Sequence, residues 1–441
     1  MNKFHIITLG CSKNVVDSEF LSEKLKSKNL LYTDNLYDAD VAIINSCTFI
    51  EDAKEESIDT IFDVANLKKQ GIIKYIILTG CLSQRYEKEL EKEIPEIDLF
   101  LGTTSFKDID KHIFSLTKNH VTSPYIDRAI EEKRDYIETS HFGYMKISEG
   151  CDNNCTYCII PKIKGNYRSR YIESLIKEAE EMAKNGLKEL ILIAQDTSLY
   201  GTDIYGKKQL HILLDKLKEV EGIEWIRIHY MYPEGIYDEL IKEIKDNPKV
   251  LNYFDIPLQH ISDRVLKRMN RKTNKENIEN LINKIRQEIK DPVIRTTFIV
   301  GFPGETEEDF QQLKEFVEEY KIERLGVFPY SREENTPAYN LDGQLEREIK
   351  NKRKDIILEM QKSISTQFCS KLEDRKFKVL IDDIVDDETY IGRTYMDSPE
   401  IDGVVYVTSK KDLEVGQFID VIITDSMEYD LIGVVENEYG K

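Results

Sequence analysis

"EGCDNNCTYCIIP", residues 149–161, places three cysteines within eight positions: Cys151, Cys155 and Cys158. A structural zinc site takes four ligands, and disulfides take pairs. Three thiolates at this spacing suit zinc or an iron–sulfur cluster. Zinc needs a fourth ligand, and His141 just upstream keeps that reading open. In a cubane cluster, three cysteines leave one iron open to a chelating substrate or cofactor.

Downstream of this loop, apolar runs alternate with helical patterns. Strands are predicted at Tyr144–Ile147, Glu189–Ala194, Trp225–His229, Tyr253–Ile256, Ile294–Val300 and Leu325–Pro329. Helical stretches such as 172–185 and 306–320 separate them. Such βα units in succession build a partial or full barrel. Polar residues follow the strands: Gln195-Asp196, His229, Gln259-His260, Glu305 and Ser331. Barrel active sites form at that end.

Upstream, residues 1–118 show the same alternation on a smaller scale. Runs at Phe4–Leu9, Val41–Asn45 and Tyr75–Thr79 predict a parallel sheet with helices such as 16–28 and 51–69 on its faces. Each run leads to a cysteine: Cys11, Cys47 and Cys81. Ligands of open parallel sheets sit beyond the carboxyl ends of the strands. Three such cysteines are therefore expected to share one site. The seventh, Cys369, stands outside both groups and reads as a packing residue.

Residues 119–136 are polar and read as a linker. Residues 345–371 read as one charged amphipathic helix. From 372 to 441 the chain turns rich in Val, Ile, Tyr and Thr, as in a small all-β module. That module carries 18 acidic and 7 basic residues, net −11, within a chain of net charge −20. Nucleic-acid binders usually carry a basic face, so direct nucleic-acid binding is not expected. A basic protein partner suits this charge better. No apolar run approaches the roughly 20 residues of a membrane span, and the N-terminus lacks a signal-peptide pattern. A cytoplasmic protein with reduced cysteines is expected.

The Cx3Cx2C loop, with Tyr157 before its last cysteine and a six-unit barrel behind it, resembles the radical S-adenosylmethionine (SAM) enzymes. "TTFIVGFPGET", 296–306, resembles their glycine-containing strand end. The whole layout is similar to the radical SAM methylthiotransferases. That resemblance implies an N-terminal methylthiotransferase domain (1–118), a linker (119–136), a radical SAM core (137–368) of (β/α)6 partial-barrel form, and a TRAM-like all-β barrel (369–441). It implies two 4Fe–4S clusters, one on Cys151, Cys155 and Cys158 and one on Cys11, Cys47 and Cys81. It also implies SAM contacts at Tyr157, Gln195, Gln259, Gly301, Gly304 and Glu305. No catalytic residue beyond the cluster ligands is indicated.

Two branches of that family differ in substrate. MiaB-type enzymes modify a tRNA adenosine; RimO-type enzymes modify an aspartate of the twelfth small-subunit ribosomal protein (S-twelve). "TLGCSKNVVDSE", 8–19, and "AQDTSLYG", 194–201, resemble the RimO type. The tRNA branch carries Gln-Met-Asn where this chain has Ser12-Lys13-Asn14. The resemblance thus implies methylthio insertion at the β carbon of an S-twelve aspartate. It also implies an electron donor of flavodoxin or ferredoxin type, with the sulfur donor unspecified.

Overall fold

The computed structural model describes residues 2–48, 50–105, 109–113, 119–121, 134–135 and 141–439. Near the N-terminus, β1 (Lys3–Thr8), β2 (Leu31–Tyr32), β3 (Val41–Ser46), β4 (Tyr75–Gly80), β5 (Leu99–Leu101) and β6 (Asn119–Val121) form one parallel sheet, ordered β2-β1-β3-β4-β5-β6. Strands covered on both faces read as continuous apolar runs, and β3 is buried at every position. Ile43 and Ile77 face one side, with Phe20 and Leu21 of α1 (Ser12–Lys26). Ile44, Ile76 and Leu78 face the other, with Ile61 and Val64 of α2 (Glu51–Lys69) and Leu82 of α3 (Cys81–Glu93). The chain moves outward from β1 to β2, then returns to place β3 on β1's other side. The sheet's switch point therefore lies between β1 and β3, where such sheets bind ligands.

The sheet extends past residue 118. The stretch 119–136, expected as a linker, opens with β6, which pairs with β5. Farther along, Arg134 is buried between Glu19 and Glu178, at 2.8 and 3.0 Å. The remainder of that stretch lies outside the described residues.

The second domain begins at β7 (Phe142–Lys146). A two-residue strand, β8 (Ser148–Glu149), pairs antiparallel with β9 (Arg168–Ser169) and closes the base of the cysteine loop. Five further strands follow: β10 (Glu189–Ile193), β11 (Trp225–Ile228), β12 (Tyr253–Asp255), β13 (Val293–Val300) and β14 (Arg324–Pro329). They form two parallel halves, β11-β10-β7 and β12-β13-β14. The halves meet where Met231 N donates to Asp255 O at 2.9 Å. This is the six-stranded partial barrel expected from the sequence. Leu190, Leu192, Ile226 and Ile228 point outward into the helical layer.

The helix Arg347–Ser370 crosses β14 and leads to a closed barrel of β15 (Lys376–Ile384), β16 (Thr389–Arg393), β17 (Val405–Thr408), β18 (Phe418–Ser426) and β19 (Leu431–Val435). Cys369 is buried in this module's core, as expected. The module covers the amino ends of the partial-barrel strands, where Trp225, Tyr253 and Val293 pack with Phe377 and Leu380.

Its β16–β17 connection, residues 394–404, turns inward. Asp397 pairs with Arg324 (2.5 Å), Ser398 Oγ lies 3.0 Å from His229 Nε2, and Tyr253 Oη donates to Asp402 at 2.6 Å. Arg227 Nη1 donates to Tyr395 O at 2.9 Å. These partners come from three strands and from the residue after β11. Arg227 alternates with Ile226 and Ile228, which face the helices, so it points inward. The loop is thus a plug in the barrel's lumen. His141 Nε2 lies 2.8 Å from Asp382 of this module. It is turned away from the cysteines and is not their fourth ligand.

Two cysteine triads across one interface

Cys11 precedes α1, Cys47 follows β3 and Cys81 opens α3. Their meeting requires close backbone approach. Gly10 adopts φ +92°, and a Cβ there would lie 2.6 Å from Cys47 Cβ. Gly80, also at φ +92°, leaves no space against Ser46 O. Both conformations favour glycine. Asn14 Nδ2 donates to Leu9 O at 2.7 Å, and Asn45 Nδ2 donates to Asn14 O at 2.8 Å, which holds the first loop. Burial pushes the Cys81 thiol up to about 12, partly offset by the charge of Lys164; Cys47 and Cys11 add to the rise.

The other triad lies on the loop between β8 and β9. Cys151 N donates to Gly165 O at 3.1 Å, and Cys158 N donates to Cys155 O at 3.0 Å. Thr156 anchors the loop's far side through Arg268 O and Met269 O. Arg271 Nη1 stands 3.9 Å from Cys155 Sγ, and Tyr232 Oη 3.7 Å. Burial raises the Cys158 thiol to about 12 and that of Cys151 to about 11. Bare, these thiols stay protonated at neutral pH. Metal binding would take them as thiolates and release protons.

The donor chemistry suits iron–sulfur clusters. Among the described residues, no three His, Cys, Asp or Glu side chains gather closely enough to hold one metal ion. Iron–sulfur clusters are held by cysteine thiolates at separate corners. Each supplies three thiols, one short of a complete set.

The short helix Ile160–Lys164 joins the two sites. It starts just after Cys158, and Ile159 and Ile163 pack against Cys81. Thr103 Oγ1, from the N-terminal domain, donates to Ile163 O at 3.2 Å. Lys164 pairs with Asp17 of α1 at 3.1 Å and lies 3.8 Å from Glu149 of β8. Lys146 pairs with the same two carboxylates. All four side chains are buried. Burial opposes the Glu149 charge, but the two lysines outweigh it and hold the carboxyl well below its usual range.

The other expected site residues divide. Gln195 Nε2 donates to Glu149 at 2.7 Å, while its Oε1 is buried without a partner, an acceptor open to a ligand. Tyr157 Oη is buried beside Cys155, and its ring meets Phe302 edge-on at 6.4 Å. Gln259 takes the left-handed conformation (φ +71°), held by backbone bonds to Thr297 and Ile299, and its side chain makes no hydrogen bond among the described residues. Protein packs against Gly301, Gly304 and Glu305. A Cβ at Gly301 would strike Lys350, and one at Gly304 would meet Arg268. Buried Glu305 accepts from Arg353 at 2.6 Å and from Phe302 N at 3.2 Å. Sequence reasoning missed Arg271, Tyr232 and the Lys146–Glu149–Lys164–Asp17 quartet. Lys146 and Glu149, charges within a buried strand end, were the available signal.

Comparison with known proteins agrees with this layout. Residues 3–102 match an uncharacterized protein family (UPF0004), 145–317 the radical SAM superfamily and 375–435 the TRAM domain. The chain is 51% identical over 439 residues to "Ribosomal protein uS12 methylthiotransferase RimO" of Clostridioides difficile (strain 630), covering 99% of both chains. It is 49% identical over 439 residues to the protein of that name in Thermoanaerobacter sp. (strain X514), covering 98% of this chain and all of that one. Among solved structures, a radical SAM methyltransferase, TsrM, from Kitasatospora setae has the same overall fold. Its TM-score is 0.56 at 13% identity, over 77% of each chain.

Proposed function

The chain belongs to the ribosomal protein uS12 methylthiotransferase (RimO) family, and from that membership we propose that it inserts a methylthio group at the β carbon of a uS12 aspartate. As a member it is a radical SAM enzyme using SAM and two 4Fe–4S clusters. We assign Cys151, Cys155 and Cys158 to the SAM-binding cluster and Cys11, Cys47 and Cys81 to the second. The observation that carries this reading is the packing of Cys81 against Ile159 and Ile163, beside the other triad. A C–H bond of this kind has no useful acidity, so no side-chain base suffices, and the bound cofactors supply the radical and the methylthio group.

The chain's own residues position and enclose. The quartet around Lys164 holds the two domains, and so the two triads, in one relation. Gln195 Oε1 offers a cofactor acceptor beside Glu149. Tyr157 and Gln259 line the same end of the barrel. Gly301, Gly304 and Glu305 are assigned to the same cofactor site, with Arg353 and Phe302 N holding the Glu305 carboxylate and Lys350 and Arg268 backing the glycines.

The acidic β module suits a basic ribosomal protein. The end of β15 and the β15–β16 turn expose Asp383, Asp386, Asp387 and Glu388. The reductant is assigned to a small flavodoxin or ferredoxin, and the place of action to the cytoplasm, where uS12 is made. No helix among the described residues is long and apolar enough to cross a membrane.

The test offers both substrate classes together. Reduced enzyme, SAM and sulfide are incubated anaerobically with uS12 and bulk tRNA, and both are digested for mass spectrometry. A methylthio gain on one aspartyl peptide is expected. A gain on adenosine alone would reassign the substrate.

A further inference from the structure

Lys13 lies in the first turn of α1, two residues after Cys11, yet its side chain leaves its own domain. Its Nζ stands 3.6 Å from the centre of the Tyr230 ring and 3.5 Å from Ala194 O. Ala194 follows β10, and Tyr230 lies just beyond β11. The ammonium therefore sits at the carboxyl end of the partial barrel, where such folds place reacting groups, on the side facing Cys11.

Its partners are weak ones for a cation. The carbonyl contact is long, and the aromatic face is a diffuse attraction. An ammonium has three N–H donors. Nearby cations are otherwise matched: Lys146 and Lys164 with Asp17 and Glu149, and Arg295 with Asp255 at 3.1 Å. Among the described residues, no carboxylate is in ion-pair contact with Lys13. Lys13 is part-buried.

The surface beneath it is fixed. Tyr230 has φ +59°, a conformation costly for a bulky residue. Two groups hold it there. Tyr230 N donates to Asp255 Oδ2 at 2.9 Å, and Thr197 N donates to Tyr230 O at 3.1 Å. The result is a rigid ring that keeps the Lys13 ammonium over the barrel mouth.

We infer that Lys13 receives the carboxylate of the aspartate being modified. This rests on the proposed function and adds a substrate-binding residue to it. The carboxylate is bonded to the reacting β carbon. Holding it fixes rotation about that carbon and turns one C–H toward the SAM side, with Cys11 close by on the other. Lys13 breaks and forms no covalent bond itself. An asparagine in the same place would present a neutral amide and forfeit the charge-assisted bond.

The test uses holoenzyme and two substrates, uS12 and uS12 with the modified aspartate changed to Asn. Wild-type enzyme should prefer aspartate. Lys13→Met should retain both clusters by iron content and electron paramagnetic resonance, and should still cleave SAM. Its kcat/KM for transfer should fall about 10- to 100-fold, the worth of one bond to a charged group, and its preference for aspartate should vanish. Lys13→Arg should keep that preference. Unchanged transfer or unchanged preference in Lys13→Met overturns the inference. Loss of the second cluster in Lys13→Met also overturns it, because the lysine would then serve the cluster. Failure of wild-type enzyme to modify uS12 at all would instead overturn the functional reading beneath it.

Discussion

Lys164 ends the short helix that begins just after Cys158, and its ammonium lies 3.1 Å from the carboxylate of Asp17, one and a half turns along the helix that Cys11 precedes. This buried ion pair is one of the ties between the framework of one cysteine triad and that of the other.

That tie should be costly to break from one side. Lys164→Met leaves Asp17 and Glu149 sharing only Lys146 in a buried setting. Removing one partner of a buried pair destabilises by about 3–5 kcal/mol. Pairing it with Asp17→Asn should cost less than the sum of the two single changes. Urea unfolding of the four proteins measures this.

The triads should separate by role. Changing Cys151, Cys155 or Cys158 to Ala should abolish 5′-deoxyadenosine release from SAM. Changing Cys11, Cys47 or Cys81 should halve bound iron and abolish methylthio transfer, with some SAM cleavage persisting. Iron analysis and chromatography of both products on the same samples check this. Transfer surviving in the second set would dismantle the two-cluster assignment.

Acid should weaken the plug. Burial and the charges of Arg227 and Arg295 depress His229 to about 3, from an ordinary value near 6.5. Between those values the unfolded chain binds a proton that the folded chain refuses. Stability should therefore decline as pH falls below about 6.5, by at most about 1.4 kcal/mol per pH unit from this group, and level off near 3. His229→Gln should flatten that slope. Denaturant titrations at pH 7 and pH 5 give the comparison.

Encounter with uS12 should depend on salt. Opposite charges attract over about 8 Å at physiological ionic strength, so raising salt should slow association more than it speeds release. Replacing Asp386, Asp387 and Glu388 by Lys should slow association about tenfold or more with iron content unchanged. Stopped-flow or surface-binding kinetics would show it.

Much of this architecture could be read from residue order, because parallel strands buried on both faces leave continuous apolar runs. Val41–Ser46 and Glu189–Ile193 announced themselves that way. The cysteines at strand ends were legible for the same reason. Short edge strands were not: Leu31–Tyr32 and Asn119–Val121 have too few residues for a period to show. His141 looked like a possible fourth ligand because it is near Cys151 in sequence. In space its partner, Asp382, comes from the far end of the chain. Arg353, Arg268 and Lys350 reach Glu305 and the adjacent glycines from other elements, contacts that no local pattern shows. Lys13 was visible only as a letter in a motif. Its setting depends on Tyr230 and Ala194, which no local pattern brings to it.

The plug also bears on how these chains exchange parts. A small β barrel with its own core looks like a detachable cassette, one for gene fusion to trade between enzymes. Residues 394–404 deny that independence. A transplanted module would bring its own loop into a lumen whose Arg227, His229, Tyr253 and Arg324 are fitted to Tyr395, Ser398, Asp402 and Asp397. The β module and the partial barrel are therefore expected to be inherited together, with changes on one side of the lumen matched on the other.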